Sequence, residues 1–571
     1  MDPGIRRLNG GLVKGSKADF DALVVGSGAS GGWAAKKLTE AGLRVAILEA
    51  GRPQSNQNFR EHQPAFDLKY RNLSRSVILQ TRPIQGTLSV CSEYIYNWFV
   101  SDLDEPYTTP PDKPYDWIGR LRMTGGRTNV WGRVCLRYSD LDFKAASFDG
   151  YGEEWPLSYK DLSPYYDFVE EYVGITGMSE GLEEIPDGKF QPPMALTCQE
   201  LFLRRQLKAK MNRTLTLARS ANLTKSIDGR APCHYCGPCE RGCVTHSYFN
   251  SAFTTVADAL RTGRCTLISN AMVYQVLMDS SRNRARGLLY LDRDTRQAKE
   301  IYARVVILCA QSYESVRILL NSSNRQYPNG IANSSGVLGH YLTAHIRNAG
   351  ASGELPALGE RPTVNGPNRP CGIYIPRFRN TRKSRTQAFL RGYGYQGGAN
   401  AQLNWRAPGF GVDFRKALVE PRASASLVGF GEMLPRWDNF VEIDRNVMDA
   451  WGIPVLKIHM SDGPNERAMA KDMAASGAEM LEAAGAKRVR PFLHPSAPRW
   501  AMHEVGIARM GNDPRASVLN PFQQTHDIRN LFVMDGSCFV SLGCQNPTLT
   551  IMALAVRSCD YLVGELKRGN I

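Results

Sequence analysis

Residues 20–51 read FDALVVGSGASGGWAAKKLTEAGLRVAILEAG, and this stretch decides the fold. The apolar run Ala22–Val25 ends in glycines, as a buried strand does before a tight turn. Trp33 and Leu38 then lie at helical spacing, and a second apolar run follows at Val45–Leu48. The pattern predicts a strand–helix–strand unit with a glycine-rich turn at its first junction.

This turn has the spacing of a dinucleotide-binding site, because Gly26, Gly28 and Gly31 form G-x-G-x-x-G directly after the strand. Gly26 permits the tight turn, Gly28 lets the backbone approach a pyrophosphate, and Gly31 allows close packing of helix on strand. The phosphates are then expected at the helix N-terminus, beside Ser30, where free N–H groups attract an anion. A glycine triplet also occurs in ordinary loops, so the flanking strands are needed for this interpretation.

Glu49 ends the second predicted strand, at the distance expected of an acid that accepts hydrogen bonds from a ribose hydroxyl. An arginine there would have indicated a ribose phosphate, so the acid argues against NADP. These residues leave both FAD and NAD open.

The rest of the chain predicts two interleaved domains. A second strand–helix unit is predicted at 300–322, and residues 52–120 are expected to form loops with a few short helices. Short alternating segments between about 345 and 460 favour an antiparallel sheet, and residues 463–485 predict a helix that ends at Gly485. A strand at 530–536 and a final helix from about Pro547 return the chain to nucleotide-type elements.

Composition limits the function classes. The 571 residues are 43% hydrophobic and 22% charged, which excludes a disordered chain or a small disulfide scaffold. No run of about 18 apolar residues occurs, so no membrane span is expected. The net charge of +15 is scattered, with its densest block near 378–385, which argues against nucleic acid and for an acidic partner or anionic polymer. The N-terminus lacks an apolar signal segment, so the expected location is cytoplasmic, or periplasmic if a signal-bearing partner exports the chain.

Four motifs in order resemble the glucose–methanol–choline (GMC) family of FAD oxidoreductases. They are TGGRTNVWGR at 124–133, HEVGIARMG at 503–511, VMDGS at 533–537 and QNPTLTI at 545–551. The resemblance implies an α/β fold in which a Rossmann-like FAD-binding domain is interleaved with a substrate domain built on an antiparallel sheet with helices. It implies FAD contacts at Gly125, Gly126, Asn129, Asp535, Gly536, Pro547 and Thr548. Some members bind FAD covalently through a histidine where this chain has Val130, so non-covalent FAD is expected.

The same resemblance divides the chain into five segments. The expected segments are FAD-binding 19–155 with a loop or lid at about 60–120, substrate-domain 156–225, FAD-binding 226–345, substrate-domain 346–500 and FAD-binding 501–571.

The resemblance also assigns a catalytic pair, His503 and Asn546. An imidazole accepts a proton near neutral pH, so His503 could take the hydroxyl proton as hydride leaves an alcohol carbon. Asn546 can hydrogen-bond the same oxygen without competing as a base. Without the motif, His503 could be an ordinary buried or surface histidine. Asn546 and Pro547 also predict a helix start, with Asn546 as the N-cap and Pro547 as the first helical residue.

Four of the 13 cysteines form C-x2-C-x2-C-x3-C: Cys233, Cys236, Cys239 and Cys243. This spacing matches ferredoxin-type iron–sulfur runs, although Val244 replaces the usual proline. Zinc usually takes two separated cysteine pairs, and disulfides at such short separations are strained, so iron–sulfur is preferred over zinc, disulfides or free thiols.

Here the chain resembles the large subunits of bacterial GMC sugar dehydrogenases and the bacterial glucoside 3-dehydrogenases. That implies a [3Fe–4S] cluster rather than [4Fe–4S], a small signal-bearing subunit, and a cytochrome c type electron acceptor. Its substrate would be a sugar or glycoside, whose apolar face could meet Tyr107, Tyr115 and Trp117; an ordinary packed loop is the alternative for these three. An oxidase that uses oxygen, with structural cysteines, and an electron-relay subunit without alcohol chemistry remain open.

Overall fold

A computed structural model describes residues 19–571 except 280, 282, 348, 357–367, 402, 405–406, 421 and 494–501. The strands in chain order are β1 (Phe20–Val25), β2 (Val45–Leu48), β3 (Thr216–Leu217), β4 (Cys265–Ile268), β5 (Ala271–Asp279), β6 (Arg284–Asp292), β7 (Ala298–Leu308), β8 (Thr343–Ile346), β9 (Ala349–Leu355), β10 (Ile373–Ile375), β11 (Tyr393–Ala401), β12 (Ala423–Glu432), β13 (Phe440–Met448), β14 (Pro454–His459), β15 (Lys487–Leu493), β16 (Met502–Val505) and β17 (Leu531–Val533). The helices are α1 (Ala29–Glu40), α2 (Arg75–Thr81), α3 (Asp140–Phe143), α4 (Ala145–Asp149), α5 (Tyr159–Val173), α6 (Cys198–Met211), α7 (Thr255–Arg261), α8 (Ser312–Asn321), α9 (Gly411–Val419), α10 (Pro464–Ala483) and α11 (Thr548–Arg568). The N-terminal stretch on which the signal-peptide expectation rests lies largely outside the described residues.

The first sheet has seven strands and a parallel centre. Strands β4, β2, β1 and β7 lie side by side and parallel, and β17 joins β7 in parallel. β6 and β5 continue the sheet as antiparallel neighbours of β7. Both faces of β1 and β2 are covered, which explains their continuous apolar runs. The strand–helix–strand prediction for residues 20–51 and the second unit, β7 with α8, are both confirmed.

The second sheet has eight strands and is antiparallel. β15, β9, β12, β11, β10 and β3 form its main path, and β8 pairs with both β12 and β16. α10 packs on β9 and β12 and ends one residue before its Ala484 cap, close to the predicted Gly485. β13 and β14 lie within the stretch expected to form the antiparallel sheet, but they pair with each other as a separate ribbon, which packs against α8. The interleaved α/β-plus-antiparallel-sheet architecture is thus confirmed.

The C-terminal segment joins the two sheets. β16 is paired with β8 in the antiparallel sheet, whereas β17, fewer than 30 residues later, is paired with β7 in the parallel-centred sheet. His503 on β16 is therefore held by one sheet and the turn after β17 by the other. Among the described residues, none of the helices has the length and hydropathy needed to cross a membrane.

Candidate active site

In the glycine turn after β1, the backbone is tightly packed at Gly31 and faces open space at Gly28. Gly26 has φ +95°, and a Cβ on Gly31 would lie 2.0 Å from the carbonyl oxygen of Gly26. A Cβ on Gly28 would meet no atom within 4 Å. Gly28 is also the N-cap of α1 and has no side chain to cap it, so Ser30 and its neighbours begin the helix beside open space. This arrangement leaves room for an anion at the N-terminus of α1.

Ser27 connects this turn to the end of β2 and to a distant segment. Its backbone N–H and its hydroxyl both donate to Oε2 of Glu49, at 3.1 and 2.5 Å. Oε1 of Glu49 accepts from the N–H of Gly51 at 2.8 Å. The N–H of Gly125 in turn donates to Oγ of Ser27 at 2.9 Å. Glu49 is buried and held in position at the edge where a ribose would lie.

The segment around Gly125 and Gly126 lies over the turn, because a Cβ on Gly126 would be 3.5 Å from Cα of Gly28. Both the amide nitrogen and the oxygen of the Asn129 side chain already make two hydrogen bonds to protein groups. Its amide nitrogen donates to the carbonyl oxygens of Thr124 and Gly126, and its oxygen accepts from Gln54 and Asn250. Asn129 therefore fixes the shape of this segment, and any contact it makes with a cofactor would have to add to these hydrogen bonds.

The second expected cofactor turn, at Asp535 and Gly536, lies where α8 begins. Oδ2 of Asp535 accepts from the hydroxyl of Ser315 at 2.5 Å, and Oδ1 accepts from the N–H of Ser537 at 3.0 Å. A Cβ on Gly536 would lie 2.9 Å from Cγ1 of Val505, so glycine permits close approach of β16. The turn thus contacts the strand that carries His503.

The described residues fit a dinucleotide. Besides the open space at Gly28, a buried donor is left without a partner: Nε2 of Gln311, the N-cap of α8. Gln311 has φ +82°, a backbone conformation that side chains rarely adopt, and its backbone faces Asp535. Pro547 and Thr548, also expected to contact the cofactor, are the N-cap and first residue of α11. The sequence motif gave no reason to single out Gln311.

His503 is half-buried and has φ +67°. Its Nδ1 lies 2.8 Å from Nδ1 of His345 on β8, and Nε2 of His345 lies 2.8 Å from the carbonyl oxygen of Gly543. Burial lowers the pKa of His345 to about 4, and burial together with the neighbouring His345, Arg347 and Arg127 holds the pKa of His503 well below its usual range. Both rings are therefore neutral at pH 7.

Asn546 lies three residues beyond Gly543, and its Oδ1 accepts from Nε2 of Gln396 on β11 at 2.6 Å. The predicted N-cap role of Asn546 is wrong, because α11 begins at Thr548 and Pro547 is its N-cap, without a side-chain hydrogen bond. The reason is the tertiary contact to Gln396, which takes the oxygen that would have capped the helix. Since Gln396 donates to that oxygen, the N–H groups of Asn546 remain for another acceptor.

The loop that carries Tyr107, Tyr115 and Trp117 is packed into the protein and contacts the strand that carries His503. Tyr115 and Trp117 are buried, which favours a packed loop over a sugar-binding face, and Tyr107 hydrogen-bonds the backbone of both. The Tyr115 hydroxyl donates to Oε1 of Glu504, the residue after His503, at 3.1 Å. Oε2 of Glu504 pairs with Arg127 at 3.2 Å. The loop therefore anchors the strand that carries His503.

The four clustered cysteines lie on one loop with mixed exposure: Cys239 and Cys243 are buried, and Cys233 and Cys236 are half-buried. Burial and the nearby thiols raise the pKa of Cys239 to about 12, and burial also raises the pKa of Cys233 and Cys236. The structure pairs none of the cysteines it describes in a disulfide. Within the described part of the chain, no group of three or more His, Cys, Asp or Glu side chains is arranged to hold a metal ion.

Two family models match this chain, both described as GMC oxidoreductase, an N-terminal model over residues 20–347 and a C-terminal model over residues 435–555. The chain is 29% identical to the 2-methyl-1,2-propanediol dehydrogenase of Mycolicibacterium austroafricanum, with 95% of each chain covered. It is 26% identical to the fructose dehydrogenase large subunit of Gluconobacter japonicus, covering 96% of this chain and 98% of that one. It is 27% identical to the 6'''-hydroxyparomomycin C oxidase of Streptomyces lividus, covering 96% and 92%.

Among solved structures, the chain is similar in fold to pyridoxine 4-oxidase from Mesorbium loti. The TM-score is 0.57 at 17% sequence identity, with 95% of this chain and 98% of that chain covered. At this identity the likeness concerns the fold alone.

Proposed function

The chain belongs to the GMC oxidoreductase family and is an enzyme that acts on alcohol groups; from that premise we propose that it oxidises a secondary alcohol of a sugar or glycoside to a ketone. Bound FAD would supply the hydride acceptor, held without a covalent link by the turns at Gly26–Gly31, Gly125–Gly126 and Asp535–Gly536. The carboxylate of Glu49 would accept a hydrogen bond from a ribose hydroxyl of the FAD.

The observation that carries the proposal is the neutral His503 beside the second cofactor turn. Val505, two residues along β16, contacts Gly536, and Oγ of Ser312 donates to the carbonyl oxygen of Glu504 at 2.7 Å. His503 is therefore fixed next to the place expected for the flavin. Because it is neutral, it can accept the hydroxyl proton while the hydride leaves the same alcohol for the flavin. Asn546, whose oxygen is held by Gln396, would donate to the substrate oxygen and orient its C–H bond.

The substrate class rests on the names of the relatives. A diol dehydrogenase and the large subunit of a fructose dehydrogenase both align over nearly the whole chain. Both names refer to small polyhydroxylated compounds, which supports a sugar or glycoside here.

The four thiols support a further part of the proposal, an iron–sulfur cluster through which electrons leave singly. What supports this part is the C-x2-C-x2-C-x3-C spacing of the four cysteines on one loop, which is that of ferredoxin-type iron–sulfur runs; these thiols would have to converge on binding, because the structure does not arrange three of them around one point. A small subunit and a cytochrome c type acceptor would follow. The alternative is an oxidase, favoured by the name of the paromomycin relative.

The central experiment is an anaerobic substrate screen on the purified, FAD-loaded enzyme. Sugars, glycosides and diols are added singly, and bleaching of the flavin absorbance is followed together with formation of a carbonyl product. We expect bleaching with at least one sugar or glycoside, and no bleaching with matched deoxy compounds. Absence of bleaching with every polyhydroxylated alcohol would contradict the proposal, and rapid re-oxidation by oxygen with peroxide release would establish the oxidase alternative.

The cluster is tested separately, by iron and acid-labile sulfide analysis of anaerobically purified protein. Since a [3Fe–4S] cluster uses three of the four thiols, the double substitution C239S/C243S removes at least one ligand whichever cysteine is spare. We expect it to lose iron, whereas C198S, at the exposed cysteine that begins α6, should retain it. Iron-free wild-type protein would exclude this part of the proposal and leave the alcohol oxidation standing.

A further inference from the structure

Two hydrogen bonds, one buried and one partly buried, link the backbone to the proposed base through a second histidine. His345 lies on β8, paired with β16, and its ring is fully buried. One ring nitrogen contacts the carbonyl oxygen of Gly543 and the other contacts His503, both at 2.8 Å. The ring planes of the two histidines meet at 85° with their centroids 5.1 Å apart, so the rings are nearly perpendicular and do not stack.

These contacts fix the positions of the protons. A carbonyl oxygen can only accept, so Nε2 of His345 must carry a proton and donate it to Gly543. A neutral imidazole has only one N–H, so Nδ1 of His345 is an acceptor. His503 must then donate from its own Nδ1, which leaves its Nε2 without a proton. No protein group in the described residues hydrogen-bonds that nitrogen.

We propose that His345 is a positioning residue that fixes the tautomer of His503, so that Nε2 of His503 is the atom that accepts the substrate proton. This inference rests on the proposed function, because it concerns the same base. It adds to the site His345, which lies 158 positions before His503 in the sequence, and it specifies which ring nitrogen of His503 accepts the proton.

The surroundings support a neutral His345. Arg347 lies close to both rings and disfavours a second positive charge, and burial lowers the pKa of His345 to about 4. Arg127 adds to the positive potential at His503. The nearest acid by strand pairing is Glu432, opposite His345 on β12, and burial raises its pKa to about 7, so near neutral pH it carries only part of the negative charge that would favour an imidazolium.

Two substitutions separate positioning from packing. In His345→Gln the side-chain amide has an NH2 group that donates and an oxygen that accepts, spaced much like the two ring nitrogens, so it can still donate to Gly543 and accept from His503. His345→Leu fills the site without hydrogen bonds. We expect the Leu variant to lose about 10²–10⁴-fold in kcat with little change in KM, as occurs when a catalytic histidine takes the wrong tautomer. The Gln variant should recover most of that loss.

A direct readout is 15N NMR of the holoenzyme labelled on histidine, which distinguishes protonated from bare ring nitrogens without any substrate. The wild-type enzyme should show His503 protonated on Nδ1, assigned by its loss in His503→Gln, and the Leu variant should show protonation on Nε2. A wild-type His503 protonated on Nε2, or a Leu variant with wild-type tautomer and kcat, would overturn the proposal. If the Leu variant does not fold, the wild-type and Gln spectra decide. Because the spectra need no turnover, they test His345 even if the substrate class is wrong.

Discussion

The dinucleotide end and the histidine end of the site are held together by different kinds of contact. At the dinucleotide end, the contacts are local: Gly31 has no room for a Cβ beside Gly26, and Ser27 and Glu49, which hydrogen-bond each other, lie only 22 residues apart in one strand–helix–strand unit. At the histidine end, the side chains of His345 on β8 and His503 on β16 meet across 158 residues, and His345 also contacts the backbone carbonyl of Gly543, 198 residues away. The difference implies that damage at the first end impairs folding or cofactor binding, and damage at the second impairs chemistry.

The sharpest test of this contrast at the dinucleotide end compares two glycines of the same turn. Gly31→Ala places a Cβ 2.0 Å from a carbonyl oxygen, and overpacking of this kind should lower the free energy of unfolding by about 1–3 kcal/mol. Gly28→Ala meets no protein atom and should leave the apoprotein's unfolding unchanged while weakening FAD binding. Denaturant titration and flavin fluorescence measure the two effects. Equal destabilisation by both substitutions would contradict the assignment of open space at Gly28.

At the histidine end, pH should reveal the buried neutral rings. The pKa of His345 is about 4 in the folded protein but about 6.5 in an unfolded chain, so the unfolded state binds more protons between these values. His345 therefore contributes stability that is fully present above about pH 7 and is lost as pH falls from 6.5 toward 4. Asp142 and Glu432, whose pKa values burial raises, act in the opposite direction. The difference in unfolding free energy between wild type and His345→Gln reports on the histidine pair, because burial and His345 together lower the pKa of His503, and it should shrink as the pH falls. A constant difference would contradict lowered pKa values in this pair.

The smallest predicted change in unfolding free energy concerns Ser27, whose hydroxyl links the glycine turn to Glu49 and Gly125. Ser27→Ala removes the hydroxyl that donates to Glu49 and accepts from Gly125, which should cost about 1–2 kcal/mol in unfolding free energy and weaken FAD binding. The matched control is Ser163→Ala, where an exposed hydroxyl bonds its own helix and little change is expected. Similar results for both serines would mean that Ser27 does not hold the turn together.

The contrast between local contacts at the dinucleotide end and long-range contacts at the histidine end also explains how much of the fold and the site could be predicted from the sequence. The strand–helix–strand unit around Gly26 follows from local periodicity, and its prediction is confirmed. The partners His345 and Gln396 had no local signal, because the pairing of β8 with β16 brings His345 to His503, and a side-chain contact between β11 and the loop before α11 brings Gln396 to Asn546. The N-cap prediction for Asn546 failed for the same reason, since a distant side chain took its oxygen. The cysteine spacing predicts a cluster, and that, like the roles of the other site residues, stays a prediction.

The most direct test of the account is anaerobic stopped-flow measurement of flavin reduction by a substrate found in the screen. His503→Ala should slow this step at least about 100-fold, the usual contribution of a general base, with FAD content unchanged. The matched control His459→Ala alters a histidine on β14 that pairs with Glu442 and should reduce the flavin at the wild-type rate. Wild-type reduction by His503→Ala would contradict the assignment of His503 as the base.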